Sequence, residues 1–431
     1  MNMTNLCGKM TFYKIKLLFV SVYLVLLGAA VPVQAGDLYV APNGSDNVTR
    51  AGNSIATPWA TIERAVELAE AGDVVNYRAG TYTLTSDTGY YTGNDGTAQN
   101  PIVHQSYNNE SVLWTDGGFR LFINKNYWTF KNINMTSSGR FLTVGDGGAA
   151  SNTVFDGGLY IPTAPAAGAN NAVIYLTGDA INTTIKNIEF VGSGRSDHKV
   201  GVVIFRAVGV KVLNCVGHDL SWFIYYKHGP DEIVDTGIEF AYNFVYNSES
   251  GIGSSVAYAN IHDNLFVNTG ISMGIDAGNP ANAFNNIHHN TFYNDGFLVK
   301  DEIQPDGNIF TDNIFGDTSA LLQYSPLAHN TTTDYNLYPL VSAISNDGTT
   351  YDLDGWSIKN GDDVNSIEGS ATYVGGAAPS AISDYALAVG SLGKNAASDG
   401  RDMGANIPLV GPAGFVSGLA LPKPPTLVTS N

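Results

Sequence analysis

From Thr184 to Leu340 the chain repeats one short design, in which apolar residues alternate with polar ones: TIKNIEF, VKVLNCV, EFAYNFV, IHDNLFV, IHHNTFY, FTDNIFG and TTDYNLY. Each segment carries one asparagine, at 187, 214, 243, 264, 290, 313 and 336, so the spacings are 27, 29, 21, 26, 23 and 23 residues. Period-two alternation predicts strands, and recurrence every twenty-odd residues predicts a solenoid. A second strand-like piece lies between successive segments: AVIYLTG, VVIFRAVG, FIYYKHG, ISMGIDAG, FLVKDEI and ALLQYS. Two or three strands per turn, joined without helices, make an all-β parallel β-helix. A β-propeller, the competing repeat, needs longer antiparallel blades with hairpin turns, which the pattern lacks.

The same reading extends to both ends. Asp37–Val40 predicts a first strand, and Asp73–Tyr77 and Thr81–Leu84 begin the coils. Between them, Ile62, Ala65, Val66 and Ala69 fall at helical spacing, with Thr61 as N-cap and Gly72 just past the end. A helix over about 61–71 would cover the open end of the first coil. Asp156 reads as a substituted ladder position, 24 residues after Asn132 and 31 before Asn187. Asn suits such a bend, since it tolerates left-handed backbone and its stacked amides can bond along the axis. The ladder is therefore structural. After Leu340 the pattern loosens, and LPKPPTLVTSN within residues 416–431 reads as an extended Pro-rich tail.

The first 35 residues stand apart from the solenoid. Lys9, Lys14 and Lys16 precede an apolar run from Leu17 to Ala30, and Val33-Gln34-Ala35 suits cleavage, so a secretory leader is expected over 1–35, with one domain over 36–415. The apolar run is short for a membrane span. Losing three lysines and no acid takes the net charge from −18 to −21, which argues against nucleic acid and anionic membranes as partners. A secreted or periplasmic monomer is the expectation. Cys215 is the one cysteine past the leader and reads as a small buried apolar residue.

LYVAPNGSD, PWATIERAVELAEAGDVVNYRAGTYT, the NNIHHNTFYN and GNIFTDNIFGD rungs, and the closing SLGKNAASDGRDMGAN together resemble secreted right-handed parallel β-helix proteins of the pectin-lyase-like superfamily. The resemblance covers nearly all of the chain after the leader and implies that fold. It does not select a function, because the superfamily holds lyases, hydrolases, epimerases and non-catalytic surface proteins. The polygalacturonase pattern of paired aspartates, Gly-His-Gly and Arg-x-Lys is met only by Gly217-His218-Asp219. The Asp-Pro-His-Asp of alginate epimerases is absent, and Asp231-Glu232-Ile233 stands poorly for the Glu-x-Glu and following Lys-Ser of alginate lyases and chondroitinase B.

Aligning the strands between the ladder segments places Arg206, Lys227, His228, Asp276, Lys300, Asp301 and Glu302 along one strip, with Ser193–Lys199 and His228–Gly237 as walls. Eliminative cleavage of a uronate needs its carboxylate neutralised and its C5 proton removed. Lys227 can be the base, His228 a second base and Arg206 the clamp, while Lys300, Tyr226 and Trp222 hold sugar. Asp276, Asp301 and Glu302 can bind Ca2+. The plainer reading leaves Lys227 and Arg206 as solvated groove residues. Asp276 with Asp301 or Glu302 would equally suit a retaining glycosidase, since adjacent rungs are ~5 Å apart. His288-His289 looks like a metal pair, but neighbours on a strand face opposite sides. A secreted polysaccharide lyase on an acidic glycan is the leading expectation, with a glycoside hydrolase or a glycan-binding surface protein as alternatives.

Overall fold

The computed structural model describes residues 35–89, 92–163, 171–195, 197–227, 237–254, 257–272, 284–293, 307–316, 322–324, 331–339, 344–346 and 349–414. Within these residues, two parallel sheets of 12 strands and one of seven stack along a common axis. The first sheet runs from Asp37–Val40 to Thr332–Asp334, and the second from Gly80–Thr83 to Ile367–Glu368. The third holds Leu121–Ile123, Leu142–Val144, Ile174–Leu176, Val200–Phe205, Trp222–Lys227, Ser250–Ser254 and Ile271–Ser272. The chain visits first, second and third sheet in turn: Lys211–Leu213, Val216–His218, Trp222–Lys227, then Glu239–Ala241 back in the first. This is a right-handed parallel β-helix. Like residues stack in its interior, where Phe266, Phe292, Phe315 and Tyr338 lie ring on ring, centroids 5.0 to 5.5 Å apart.

The asparagine ladder is real but shorter than the sequence spacing indicates. Asn243, Asn264, Asn290, Asn313 and Asn336 are buried at the bend between the first and second sheets. Each Oδ1 of the later four accepts the backbone N–H and the Nδ2 of the asparagine one coil before. Asn187 and Asn214 stand one place earlier, at the left-handed residue of the bend, with φ 57° and 52°. Cys215 takes the ladder slot there, its N–H donating to Asn243 Oδ1 at 2.9 Å. Burial pushes its thiol pKa up to about 12, in keeping with a structural side chain. A second ladder joins Asn285 to Asn308 at 3.0 Å on the other edge of the first sheet.

The capping helix is Ile62–Leu68, shorter than the spacing predicts. Thr61 caps it, accepting from the Arg64 N–H at 3.1 Å, and Ile62, Ala65 and Val66 enter the core. It stops at Ala69, before Gly72, because buried Asp73 takes the Glu70 N–H at 2.9 Å and draws the chain into the next strand. Asp73 also accepts from the Gly36 N–H and binds Arg50 through Nε at 3.0 Å and a terminal nitrogen at 2.6 Å. Asp73→Ala leaves these donors without their acceptor and is expected to cost about 3–5 kcal/mol, read as a fall in the urea midpoint.

Beyond the last coil, residues 371–410 fold back over the second sheet. Tyr373, Tyr385, Leu387, Met403, Ile407 and Val410 cover its Val216, Phe244, Leu265, Ile314 and Leu337. Polar ties pin this segment to the bend: Asn214 Nδ2 donates to Leu409 O at 2.6 Å, and Asp312 accepts from Ser398 N at 2.6 Å.

Candidate functional site

Alternation along the third sheet sends Leu142, Ile174, Val202, Ile224 and Ile252 inward and Phe122, Thr143, Tyr175, Val203 and Tyr225 outward, each set in register. The strand Trp222–Lys227 breaks strict alternation, because Phe223 and Ile224 both enter the core. Gly217 makes the room, since a Cβ there would sit 2.6 Å from the Phe223 ring. As a result Trp222, Tyr225 and Lys227 share the outer side. Tyr226 points inward with 0% exposure, opposite Ile204, so burial removes it from sugar binding.

The outer side carries a row of cations seated on aromatic rings. Arg120 lies over Phe122 at 5.6 Å, Arg140 over Tyr175 at 4.1 Å, Arg206 over Phe205 at 5.1 Å and Lys227 over Tyr225 at 4.9 Å. Phe205 and Lys227 are register partners on adjacent strands, and the Arg206 N–H donates to the Lys227 carbonyl at 3.2 Å. A groove of about 390 Å³ runs among Arg140, Asp146, Tyr175, Asp179, Phe205 and Arg206. Arg140 also borders a recess of about 260 Å³ with Asp116, Arg120 and Ser138. Trp222, at the other end of its strand from Lys227, packs against Tyr225 at 5.2 Å.

Arg206 and Lys227 are thus neighbours, and Trp222 shares their face at the other end of the Lys227 strand. His228, Asp276, Lys300, Asp301 and Glu302 lie outside the described residues, and among the described residues no group of three or more His, Cys, Asp or Glu stands in metal-binding position. Sequence reasoning missed Arg120, Arg140, Tyr175, Asp146 and Asp179. One signal for the carboxylates was available, since Gly145-Asp146 and Gly178-Asp179 each follow a strand of this sheet.

Two other polar clusters lie away from the groove. In the cleft of about 360 Å³ beneath the closing segment, Lys394 is paired with Asp402 at 2.7 Å and Arg401 with Asp399 at 2.6 Å. On the second sheet, His218 is held by Asp219 at 2.7 Å and Glu189 at 3.2 Å and stacks on Tyr246 at 4.6 Å. Burial opposes charge on this ring, but the two carboxylates outweigh it and raise its pKa. A raised folded-state pKa stabilises fully below the unfolded value of about 6.5 and is lost as pH rises through the folded value. The stability advantage of wild type over His218→Asn should therefore shrink as pH rises above the unfolded value, read as the difference between their urea midpoints at each pH. Buried His104 and His288, lowered to about 3 and about 4, contribute the opposite trend to both proteins.

No protein-family model matches the chain. It is 42% identical over 81 residues to pectate lyase PEL9 of Emericella nidulans, covering 19% of this chain and 18% of that one. It is 41% identical over 80 residues to the Bacillus subtilis protein YwoF, 18% of this chain and 16% of that one. The matched stretches thus span less than a fifth of either relative. Among solved structures, pectate lyase Pel9A aligns with a TM-score of 0.51 at 15% identity, over 85% of this chain and 95% of that one. That likeness fixes the fold.

Proposed function

We propose, for a chain with the right-handed parallel β-helix fold of the pectin-lyase-like superfamily, that it is a polysaccharide lyase whose acidic glycan lies across the outer face of the third sheet. The observation that carries this reading is the row of cations on aromatic rings, in a chain of net charge −18. Such a chain repels polyanions except where basic groups reverse the local field. Rungs rise ~4.8 Å apart, close to the length of one pyranose unit, so a glycan running along the axis can meet cations from several rungs. The partial identity to pectate lyase PEL9 supports the same class.

In this reading Arg206 and Arg140 hold uronate carboxylates, and the half-buried Trp222 and Phe205 offer ring faces, with buried Tyr175 and Tyr225 supporting the cations from beneath. Lys227 takes the C5 proton, the electron pair forms the C4–C5 double bond, and the C4–O bond breaks, the departing oxygen gaining a proton. His228 is the second base candidate and Lys300 a further substrate contact. Calcium on Asp276, Asp301 and Glu302 would supply neutralisation of the carboxylate. The leader over 1–35 would deliver the enzyme outside the cytoplasm, where such glycans are met.

Incubation with pectate, alginate and chondroitin-type glycans tests the class. New ultraviolet absorbance from the unsaturated product is expected with at least one of them. Reducing ends without absorbance would mean hydrolysis, and retention without cleavage would mean binding alone. Arg140→Ala should raise KM about 10- to 100-fold with kcat little changed, as expected for loss of a charged hydrogen bond remote from the cleaved bond.

A further inference from the structure

The groove on the third sheet differs from one edge to the other. Arg140 precedes the strand Leu142–Val144 and reaches over Tyr175 from the edge where the strands begin. Asp146 and Asp179 line the same groove from the edge where they end, in the turns after Leu142–Val144 and Ile174–Leu176. Among the described residues, none donates a hydrogen bond to either carboxylate.

Both turns hold their aspartates on fixed backbone. Asn124 Nδ2 donates to Asp146 O at 2.9 Å, and Ala150 N donates to Asp179 O at 3.0 Å. Ala180 N closes the second turn on Thr177 O at 2.9 Å. The turns stack directly, since a Cβ on Gly145 would sit 2.4 Å from Ala180 N. On the next coil Arg206 follows at the same edge, where a Cβ on Gly178 would sit 3.5 Å from its own Cβ.

Carboxylates here would repel a uronate carboxylate, and as acceptors they call for a donor. A 4-linked hexuronate supplies both needs from one ring, because its C5 carboxylate lies on one edge and its C2 and C3 hydroxyls on the other. We propose that Asp179, with Asp146 one coil before it, accepts hydrogen bonds from the 2- and 3-hydroxyls of the uronate whose carboxylate faces Arg140. The groove then selects acidic glycans in which these hydroxyls are unsubstituted. An O-acetyl group removes the donor and leaves a charged acceptor facing it, and an O-sulfate also sets like charge against the aspartates. Arg206, at the aspartates' edge one coil on, suits a glycan whose next carboxylate turns to that side. The inference rests on the glycan path of the lyase reading.

The test compares kcat/KM on each polyuronate the protein cleaves, before and after chemical O-acetylation, for wild type and Asp146→Ala/Asp179→Ala. Wild type should lose about 10- to 100-fold on the acetylated form, the range for a hydrogen bond to a charged group. The double variant should lose a similar factor on the free glycan and cleave both forms equally. If it does not fold, Asp146→Asn/Asp179→Asn replaces it, and should cleave O-sulfated glycan at least tenfold better than wild type. Equal cleavage of both forms by wild type, or full selectivity in a folded double variant, would overturn the proposal and leave the lyase reading standing. So would unchanged rejection of sulfate by the asparagine variant. If no polyuronate is cleaved, the lyase reading falls. Calorimetry with free and O-acetylated oligogalacturonate then decides selectivity by the same ratio in Kd, and binding of neither overturns this proposal too.

Discussion

Lys227→Ala is expected to lower kcat/KM by about two to four orders of magnitude, the range for removing a general base, with the thermal midpoint nearly unchanged. The side chain is half-buried at the outer end of its strand, with its Nζ over Tyr225 at 4.9 Å. The stability lost is therefore about that of an exposed cation–π contact, ~0.5–1 kcal/mol. Lys227→Arg separates base from clamp. A guanidinium keeps the charge and the ring contact but does not release its proton, so binding should persist while turnover is lost. Turnover in either variant within a few-fold of wild type would remove Lys227 from the chemistry and shift attention to His228.

A large effect on stability is expected at the bend. Asn290 Oδ1 accepts from Asn264 N at 3.1 Å and Nδ2 at 3.0 Å. Its Nδ2 donates to Ile261 O at 2.8 Å, His288 O at 3.0 Å and Asn313 Oδ1 at 3.1 Å. All but the His288 bond are fully buried. Asn290→Ala deletes every one of them and strands partners on both neighbouring coils. At about 1–3 kcal/mol for each buried group left unsatisfied, the change should cost on the order of 3–5 kcal/mol. Asn187→Ala, at an outer bend position with one bond to Asp156 at 2.7 Å, should cost far less. Equal losses from the two variants in denaturant melts would contradict the division between ladder and bend positions.

That division also marks how far the sequence could be read. The fold was legible because period-two alternation and the twenty-odd-residue recurrence are both direct consequences of stacked coils. The ladder was legible from Asn243 onward and misassigned at Asn187 and Asn214, since asparagine is favoured both at the left-handed bend and in the buried slot beside it. Cys215 gave no hint that it fills that slot. On the third sheet, Arg206 and Lys227 lie on adjacent rungs, whereas Tyr226, read from the sequence as a sugar contact, faces the core. Strict counting from Trp222 fails where Phe223 and Ile224 both turn inward, a departure permitted by Gly217 on another sheet. Arg140 escaped notice for a different reason. It precedes its own strand and reaches Tyr175 on the next, so no single aligned position reveals the pair. His288 and His289 converge only because of the bend's positive φ, which residue types do not announce.

The proposed glycan path follows the third-sheet groove, where Arg140 and Arg206 lie over aromatic rings, and not the cleft beneath the closing segment, where Lys394 and Arg401 bind Asp402 and Asp399. A structure of Lys227→Ala soaked with an oligouronate tests this placement most directly. Sugar rings should lie along the third sheet beside Phe205 and Trp222, with carboxylates turned to Arg140 and Arg206. An oligosaccharide bound instead in the cleft of Tyr385, Arg401 and Met403, or on the second sheet, would contradict the account.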